Sequence, residues 1–589
     1  MRRFQVSFRS VDPTPAAAVA WRCVAGPLRS LWTVAGTEGS VASTKTEFEA
    51  GGGRASSSRV PPRPGGWSMS CTEFEYGQDD AFRRHLPKPG PGGFTRGNFI
   101  GWRRADRYGP ARSLSVHDLY ELLEPLGQGG FGTVHAARHR RTGEAVAIKS
   151  VPKDRVGYAE TLQLEVEFLK VADHPNVIRY YEAFEDSEHL HLIMELCSGG
   201  PLSEHIKAAH DCHGLGINES DLARIMLQLL RSVAYCHAHS IVHRDLKPHN
   251  FIFGCGAPQG QSIIPIACCG TADAPLKLVD FGVSGVVRTD RPEKRWLTKR
   301  AGTDGYMAPE VLEGCLYGPP ADLFSLGAVL HTMIAGKPPR WENDRRAYSF
   351  PGSMRWHSLS PEGKAFLERL LERDPTARPT ASEALQDPWF QAVGVFVPED
   401  VSKLQDECIS NVRQFAHRSK LQRSIMYSMV AFAPLHNHYM EQLRVAFLAC
   451  NRGASGAVSW EEFSEVVHGR NNGVQSRNAL ASDEESPEKL FSMVNSSQSG
   501  QISYSEWLTA AAPQAWYDQH DPARRAFDTL DVDRNGFLVA TDLCQVLPGV
   551  FQDAEIDEEI RCLTPSGNGR LTFKDFCALS GHTSAQVGI

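Results

Sequence analysis

Five short stretches of this chain hold the residue types that phosphoryl transfer needs, in a workable order. Gly127-Gln128-Gly129-Gly130-Phe131-Gly132-Thr133-Val134 is a glycine-rich turn. Glycines let backbone N–H groups reach phosphate oxygens that a side chain would keep away. Val146-Ala147-Ile148-Lys149 comes next, with Lys149 placed to bind α- and β-phosphates and Glu165 placed to pair with Lys149. His243-Arg244-Asp245-Leu246-Lys247-Pro248-His249-Asn250 offers Asp245 for the proton of an attacking hydroxyl and Asn250 for Mg²⁺. Asp280-Phe281-Gly282 adds a second Mg²⁺ ligand, and Ala308-Pro309-Glu310 closes the series. Each stretch alone has a plainer reading. A Gly-rich turn occurs in many hairpins, Lys149 reads equally as a strand lysine, and Glu165 as a solvated helix charge. All five in this order match the template for moving a γ-phosphoryl group to a hydroxyl.

The chemistry explains the residue types. The phosphoryl group must lie in line with the hydroxyl while its charge is neutralised, which calls for cations, metal ligands and one carboxylate beside the nucleophile. Every such position is filled here.

A second motif recurs later: helix, twelve-residue loop with a central glycine, helix. Such EF-hand loops need oxygen ligands at positions 1, 3, 5, 7, 9 and 12, with glycine at 6. Loops begin at Asn451, Asn495, Asp531 and Thr564. The third has Asp531, Asp533 and Asn535, then Gly536, a carbonyl from Phe537, and Asp542 at the last position. Asp542 is shorter than the usual glutamate, which weakens Ca²⁺ binding and helps Mg²⁺ compete. The other three keep the shape and lose the charge. The first has Asn451, Gly453, Ser455, Gly456 and Glu462; the second has Asn495, Ser497, Ser499, Gly500 and Glu506; the fourth has Thr564, Ser566, Asn568, Gly569 and Asp575. Ca²⁺ affinity tracks ligand charge, so one good Ca²⁺ site is expected.

These motifs need elements to hold them. The chain has 589 residues, too many for one core. Hydrophobic residues make up 41% and charged residues 22%, ordinary for globular protein, and the net charge of -7 gives no argument for a nucleic-acid partner. No apolar run is long enough to span a bilayer. The 14 cysteines are scattered, and Cys268-Cys269 has no zinc-ligand spacing, so reduced thiols and a cytoplasmic location are expected. Met1-Arg2-Arg3 lacks the glycine that myristoylation requires, and the apolar stretch near Pro15 is broken by Trp21, Arg22 and Cys23, unlike a signal peptide.

Residues 1–115 read as a disordered extension punctuated by Gly, Ser and Pro runs. From Tyr120 alternating apolar residues read as strands, Ala159 to Val171 as a helix, and Leu222 to His237 as a strongly apolar helix, giving two unequal lobes. Residues 254–274 read as a surface insertion. Asp400 to Val430 reads as one amphipathic helix with basic residues, suited to a calmodulin-like groove or to packing on the preceding unit. The expected class is α+β: a two-lobed unit over 118–390, a junction over 395–435, and an all-α unit with paired EF-hands over 436–582.

On these motifs residues 118–390 resemble the eukaryotic protein kinase family, and Lys247 with Gly302-Thr303 resembles its serine/threonine branch. The resemblance implies Met194 as gatekeeper and Glu195 and Cys197 as the hinge beside adenine. It places Leu126, Gly127, Gly129, Gly132, Val134 and Lys149 around ATP, and Lys247 beside Asp245 in catalysis. It makes Asp322 a support for the catalytic loop and Arg378 the partner of Glu310. Thr298 and Thr303 are the nearest phosphorylatable groups, with Thr303 more structural.

The order of kinase unit, basic helix and four EF-hand-like repeats resembles the calcium-dependent protein kinases of plants and protists, with Asn411 to Arg423 similar to that family's autoinhibitory junction helix. That family implies ATP, Mg²⁺ and Ca²⁺, protein substrates, and contact between junction and EF-hand unit. Basophilic members carry glutamates within Gly-Gly-Glu-Leu and Lys-Pro-Glu-Asn and an acid on the helix after Asp322. Here those positions hold Pro201, His249 and Thr332. Two other classes stand beside the kinase reading. Intact Lys149, Asp245, Asn250 and Asp280 argue against a silent ATP-binding scaffold, and three charge-poor loops argue against a Ca²⁺ buffer.

Overall fold

Strands dominate the first part of the folded chain and helices the rest. The computed structural model describes residues 102–104, 115–129, 132–153, 159–211, 217–254, 274–287, 296–342, 347–349, 354–395, 401–432, 438–468, 486–546, 553–564 and 567–580. Most of the 1–115 extension, Gly130 and Phe131, residues 255–273 of the insertion, and Ser566 lie outside these.

A six-stranded sheet is built from β1 (Trp102–Arg104), β2 (Tyr120–Gly129), β3 (Gly132–His139), β4 (Ala145–Pro152), β5 (Tyr180–Glu185) and β6 (His189–Glu195), in the order β1-β5-β6-β4-β3-β2. The pairs are antiparallel except β1 with β5. The extension expected to lack structure therefore contributes an edge strand at Trp102–Arg104. Backbone pairing with the open edge of β5 supplies what local hydrophobic periodicity does not. Alternation along β4 sends Val146 and Ile148 to a core with Tyr120, Tyr181 and Phe184, and leaves Lys149 for the other face.

The helix Ala159–Val171 follows β4 as the periodicity predicts. The larger lobe is centred on Glu219–Ala238, which starts at Asn218, whose side chain accepts the Asp221 N–H, and on Pro319–Ala335, which stops at the left-handed Gly336. Both are buried around most of their circumference, as central core helices must be.

The junction departs from expectation. In place of one helix there are two, Val401–Ala416 and Lys420–Phe432. The break is a capping box. Ser419 Oγ accepts the Gln422 N–H at 3.2 Å, and Gln422 Oε1 accepts the Ser419 N–H at 3.0 Å. Buried residues of both helices, including Val412, Phe415, Leu421 and Ile425, share one core with Phe447, Trp507 and Phe527. Asn411 also donates to the Ala511 carbonyl at 2.8 Å.

The EF-hand repeats pair through short antiparallel strands. Ala457–Val458 pairs with Ile502–Ser503, and Phe537–Leu538 with Leu571–Thr572. This unit rests on the kinase-like unit. Arg525 pairs with Glu144 and lies 4.4 Å from the Tyr181 ring, while Arg141 pairs with Asp528 at 2.6 Å. The Arg179 guanidinium donates to the Val430 and Ala431 carbonyls at the end of Lys420–Phe432. Among the described residues no helix is long and apolar enough to cross a membrane.

Candidate functional site

Lys149 sits in mid-strand, opposite Val134 on one side and Leu192 on the other. Its Nζ lies 2.6 Å from Glu165 Oε1 and 3.2 Å from Asp280 Oδ1. Burial alone would lower the Lys149 pKa; the two carboxylates outweigh it and hold the ammonium above its usual range. Asp280 is held below the usual carboxylate range, because Lys149 overcomes the desolvation that would raise it. Asp280 adopts φ 61° and Arg244 φ 70°, a left-handed backbone uncommon outside glycine that here turns side chains toward one place.

Asp245 is gripped from both sides. Lys247 Nζ reaches its Oδ2 at 2.8 Å, Thr303 Oγ1 its Oδ1 at 2.6 Å, and Lys247 also bonds Thr303 at 2.9 Å. The amide nitrogen of Asn250 donates to the Asp245 carbonyl at 2.8 Å, which leaves Asn250 Oδ1 as the acceptor on its other side. The Asn250 carbonyl takes the Val279 N–H at 2.9 Å, one residue before Asp280. Lys149 meets Asp280 directly and Asn250 meets Asp245 directly, and the backbone of Val279 links the two pairs into one constellation. Asn250 Oδ1 and Asp280 are oxygen donors of the kind a hard dication takes, so the residues fit Mg²⁺.

Supports lie beneath. Asp322 accepts the His243 and Arg244 N–H groups at 2.8 and 2.9 Å and meets His237 Nε2 at 2.9 Å. Burial would raise its pKa, but the His237 hydrogen bond and nearby imidazoles keep it low. Phe281 packs between His243 and Phe168, ring centroids 5.0 and 4.8 Å away. Phe168 shares its helix with Glu165, so this packing ties that helix to the Asp280 segment. Arg378 is forked onto Glu310 at 2.7 and 2.8 Å. Arg244 is already engaged, by the Val283 and Ser284 carbonyls and, at 3.4 Å, by the Tyr317 hydroxyl.

On the nucleotide side, Met194 and Glu195 end β6 and Cys197 follows, half-buried. Gly127 and Gly129 pair with Val134 and Gly132 across the turn, and Leu126 is 49% exposed at its edge. Gly132 has no substitute: a Cβ there would lie 2.2 Å from the Ser150 carbonyl oxygen. Sequence reasoning missed the role of the Glu195 side chain. Glu195 Oε1 takes Lys277 Nζ at 2.9 Å and the Arg179 N–H at 2.7 Å, so this acid fastens the hinge to the strand leading to Asp280.

Pro201 bridges to Ile252, His249 is exposed, and Thr332 Oγ1 bonds the Ala328 carbonyl at 2.7 Å and the Tyr306 hydroxyl at 3.3 Å. None of the three offers a carboxylate.

In the third EF-hand loop Asp531 accepts the Asn535 and Gly536 N–H groups at 3.1 and 3.0 Å, and Asp542 Oδ2 accepts the Val539 N–H at 3.1 Å. Asn535 Oδ1 takes the Phe537 N–H at 2.8 Å. Burial, then mutual repulsion with Asp533, raises Asp531; burial and both neighbouring carboxylates raise Asp542. Among the described residues no three acidic or imidazole side chains converge as a finished metal site; the donors of this loop are nevertheless oxygens of the type a hard dication takes. In the fourth loop Thr564 instead bonds back to the Ile560 carbonyl at 2.7 Å.

Comparison with known proteins identifies the two kinds of domain. The sequence model of the protein kinase domain matches residues 120–390, and that of the EF-hand domain pair matches residues 521–580. Calcium-dependent protein kinase 3 of Plasmodium berghei (strain Anka) is 29% identical over 488 residues, 79% of this chain and 80% of that protein. Calcium-dependent protein kinase 9 of Oryza sativa subsp. japonica is 30% identical over 484 residues, 79% of this chain and 77% of its own length. Calcium-dependent protein kinase 33 of Arabidopsis thaliana is 27% identical over 499 residues, 81% of this chain and 88% of that protein.

Proposed function

Because the chain belongs to the calcium-dependent protein kinase family, we propose that Lys149, Asp245, Asn250 and Asp280 carry its transfer of the ATP γ-phosphate to serine and threonine hydroxyls. The chain is an ATP-dependent protein serine/threonine kinase. What supports these residue roles is the unbroken set of contacts from Lys149 to Asp245.

Lys149, fixed by Glu165, holds the α- and β-phosphates. Leu126, Gly127, Gly129, Gly132 and Val134 cover the nucleotide, and Met194, Glu195 and Cys197 flank adenine. Asn250 and Asp280 hold Mg²⁺, which supplies charge neutralisation at the triphosphate when bound. Asp245 accepts the proton of the substrate hydroxyl and Lys247 steadies the transferred group. The proposed units are the kinase over 118–390, the junction over 395–435 and the calmodulin-like unit over 436–582, the junction lying in the EF-hand core. The exposed thiol of Cys315 supports action in a reducing, cytoplasmic setting.

Ca²⁺ binds at one well-formed loop, that of Asp531, Asp533, Asn535, Phe537 and Asp542. A switch needs an effector that prefers one conformation strongly, and one loop gives little bias. The kinase is therefore weakly Ca²⁺-dependent or independent of it, and the EF-hand unit serves largely as a scaffold. Purified chain should show activities in excess Ca²⁺ and in chelator within about tenfold, which is about 1.4 kcal/mol. A larger ratio refutes this reading.

Substrate choice departs from basophilic relatives. Recognition of arginine by bidentate pairing needs carboxylates, and Pro201, His249 and Thr332 supply none. A positional peptide array should show weak selection for arginine upstream of the target residue. A profile dominated by arginine three residues upstream contradicts this.

A further inference from the structure

The first two EF-hand loops differ from the third in what surrounds them. Loop one contains Gly456, with φ +84°, seated against the kinase unit so closely that a Cβ would lie 2.2 Å from a Tyr235 ring carbon and 3.2 Å from His174. Loop two ends beside Asp173, whose carboxylate accepts the Ser505 N–H at 2.9 Å and the Ser505 hydroxyl at 2.7 Å. Ser505 lies in the first turn of Tyr504–Ala511. Asp173 thus supplies from another unit the anion that a helix N-terminus favours. The two contacts are one surface. The Asp173 N–H donates to the Tyr235 hydroxyl at 2.9 Å, and the His174 ring stacks on Tyr235 with centroids 5.0 Å apart.

Inside both loops the ligand positions hold mostly neutral oxygens that bond within the loop; the third loop makes bonds of the same kind, but through carboxylates at Asp531 and Asp542. Ser455 Oγ donates to the Ala457 carbonyl at 2.8 Å, and Ser499 Oγ to the Gln501 carbonyl at 2.9 Å, in each case position 5 closing onto position 7. Glu462 takes the Gly453 and Ser459 N–H groups, both at 2.9 Å. Glu506 takes those of Ser497 and Ser503 at 2.6 and 2.7 Å. Asn451 Oδ1 is buried with no partner among the described residues, but it is a neutral oxygen in a loop whose ligand positions carry one carboxylate, Glu462.

We propose that the first EF-hand pair is a cation-independent docking face for the kinase unit of the same chain, with Gly456 set on Tyr235 and Ser505 gripped by Asp173. The proposal rests on reading these loops as poor cation sites. It makes the glycine of loop one and the penultimate residue of loop two interface residues. Cation response is left to the Asp531 loop, whose Asp533, Asn535 and Gly536 are exposed.

The test uses the full chain in Ca²⁺ and in chelator. Small-angle scattering gives the radius of gyration, and hydrogen exchange gives the protection of the Ser505 amide. The wild type should keep both values unchanged between the two conditions. Asp173→Arg on one side of the contact and Gly456→Asn on the other should each enlarge the particle in both conditions and cost the Ser505 amide at least about tenfold in protection. Asparagine tolerates the left-handed backbone, so Gly456→Asn acts through the contact with Tyr235. Circular dichroism melts establish that each variant is folded, and Ser505→Ala provides a milder cut if Asp173→Arg is not. The proposal is overturned if the wild type expands or loses Ser505 protection in chelator, or if both interface variants keep wild-type dimensions and protection. It is also overturned if calorimetry shows Ca²⁺ binding that Glu462→Gln or Glu506→Gln removes. The kinase activity ratio in Ca²⁺ and chelator is read separately. A Ca²⁺-dependent activity with unchanged dimensions sinks the functional reading and leaves the docking face standing.

Discussion

Asp245→Asn is expected to lower kcat by about 10²–10⁴-fold, the range supplied by a positioned general base. The side chain keeps its shape, so the bond from Lys247 to one oxygen and the Thr303 contact change little in geometry. What disappears is the ability to take a proton from the acceptor hydroxyl as the bond to phosphorus forms. ATP affinity, read as the thermal shift on adding nucleotide and Mg²⁺, should stay within a few-fold of wild type, because Asp245 faces the hydroxyl and not the adenine. Steady-state assays on a serine peptide separate the outcomes. A fall in kcat with intact nucleotide binding supports the role, whereas an equal loss of binding would make Asp245 a structural carboxylate.

Lys149→Met should cost about 10²–10³-fold in kcat, comparable to removing one preorganised donor from a developing charge. It should also destabilise the fold. Lys149 and Glu165 are both nearly inaccessible, with side-chain exposures of 9% and 3%. Removing one partner leaves a buried carboxylate without its cation, an effect of about 3–5 kcal/mol in comparable pairs. The companion Lys149→Met/Glu165→Leu should recover much of the melting temperature and none of the activity. If the double variant regains activity, Lys149 does not act on phosphate; if the single variant melts like wild type, the ion pair is not what fixes the helix Ala159–Val171.

How much of this was legible in the sequence depends on the distance over which each signal acts. The residues of the site declare themselves in short motifs because the chemistry requires fixed types at fixed local spacing. The helix Ala159–Val171 and the core helix near Leu222 to His237 follow from periodicity, and the structure has both. The break in the junction was also readable. Ser419 followed by Gln422 is a capping box, but the continuous amphipathic pattern around it drew the reading toward one long helix.

Contacts between segments remote in sequence left no such trace. Nothing local to Asp173 announces that it caps a helix 332 residues away, and nothing near Glu195 announces Lys277. Such pairs are set by how the units meet, and a lone charge in a sequence reads as solvated. The strand Trp102–Arg104 was missed for a related reason. Its three residues form a strand by pairing with Tyr180–Glu185. The charge-poor EF-hand loops lie between these cases. Their missing carboxylates were plain, while the kinase-facing side of the first two became visible only in the folded chain.

Transfer of labelled γ-phosphate by the purified full-length protein tests the central claim most directly. With ATP and Mg²⁺ the protein should label serine or threonine in a protein acceptor, and Asp245→Asn, folded and still binding nucleotide, should reduce that labelling to a small residue. A folded wild-type chain that transfers nothing to any acceptor, or an Asp245→Asn protein as active as wild type, would contradict the assignment of Lys149, Asp245, Asn250 and Asp280 to one reacting centre.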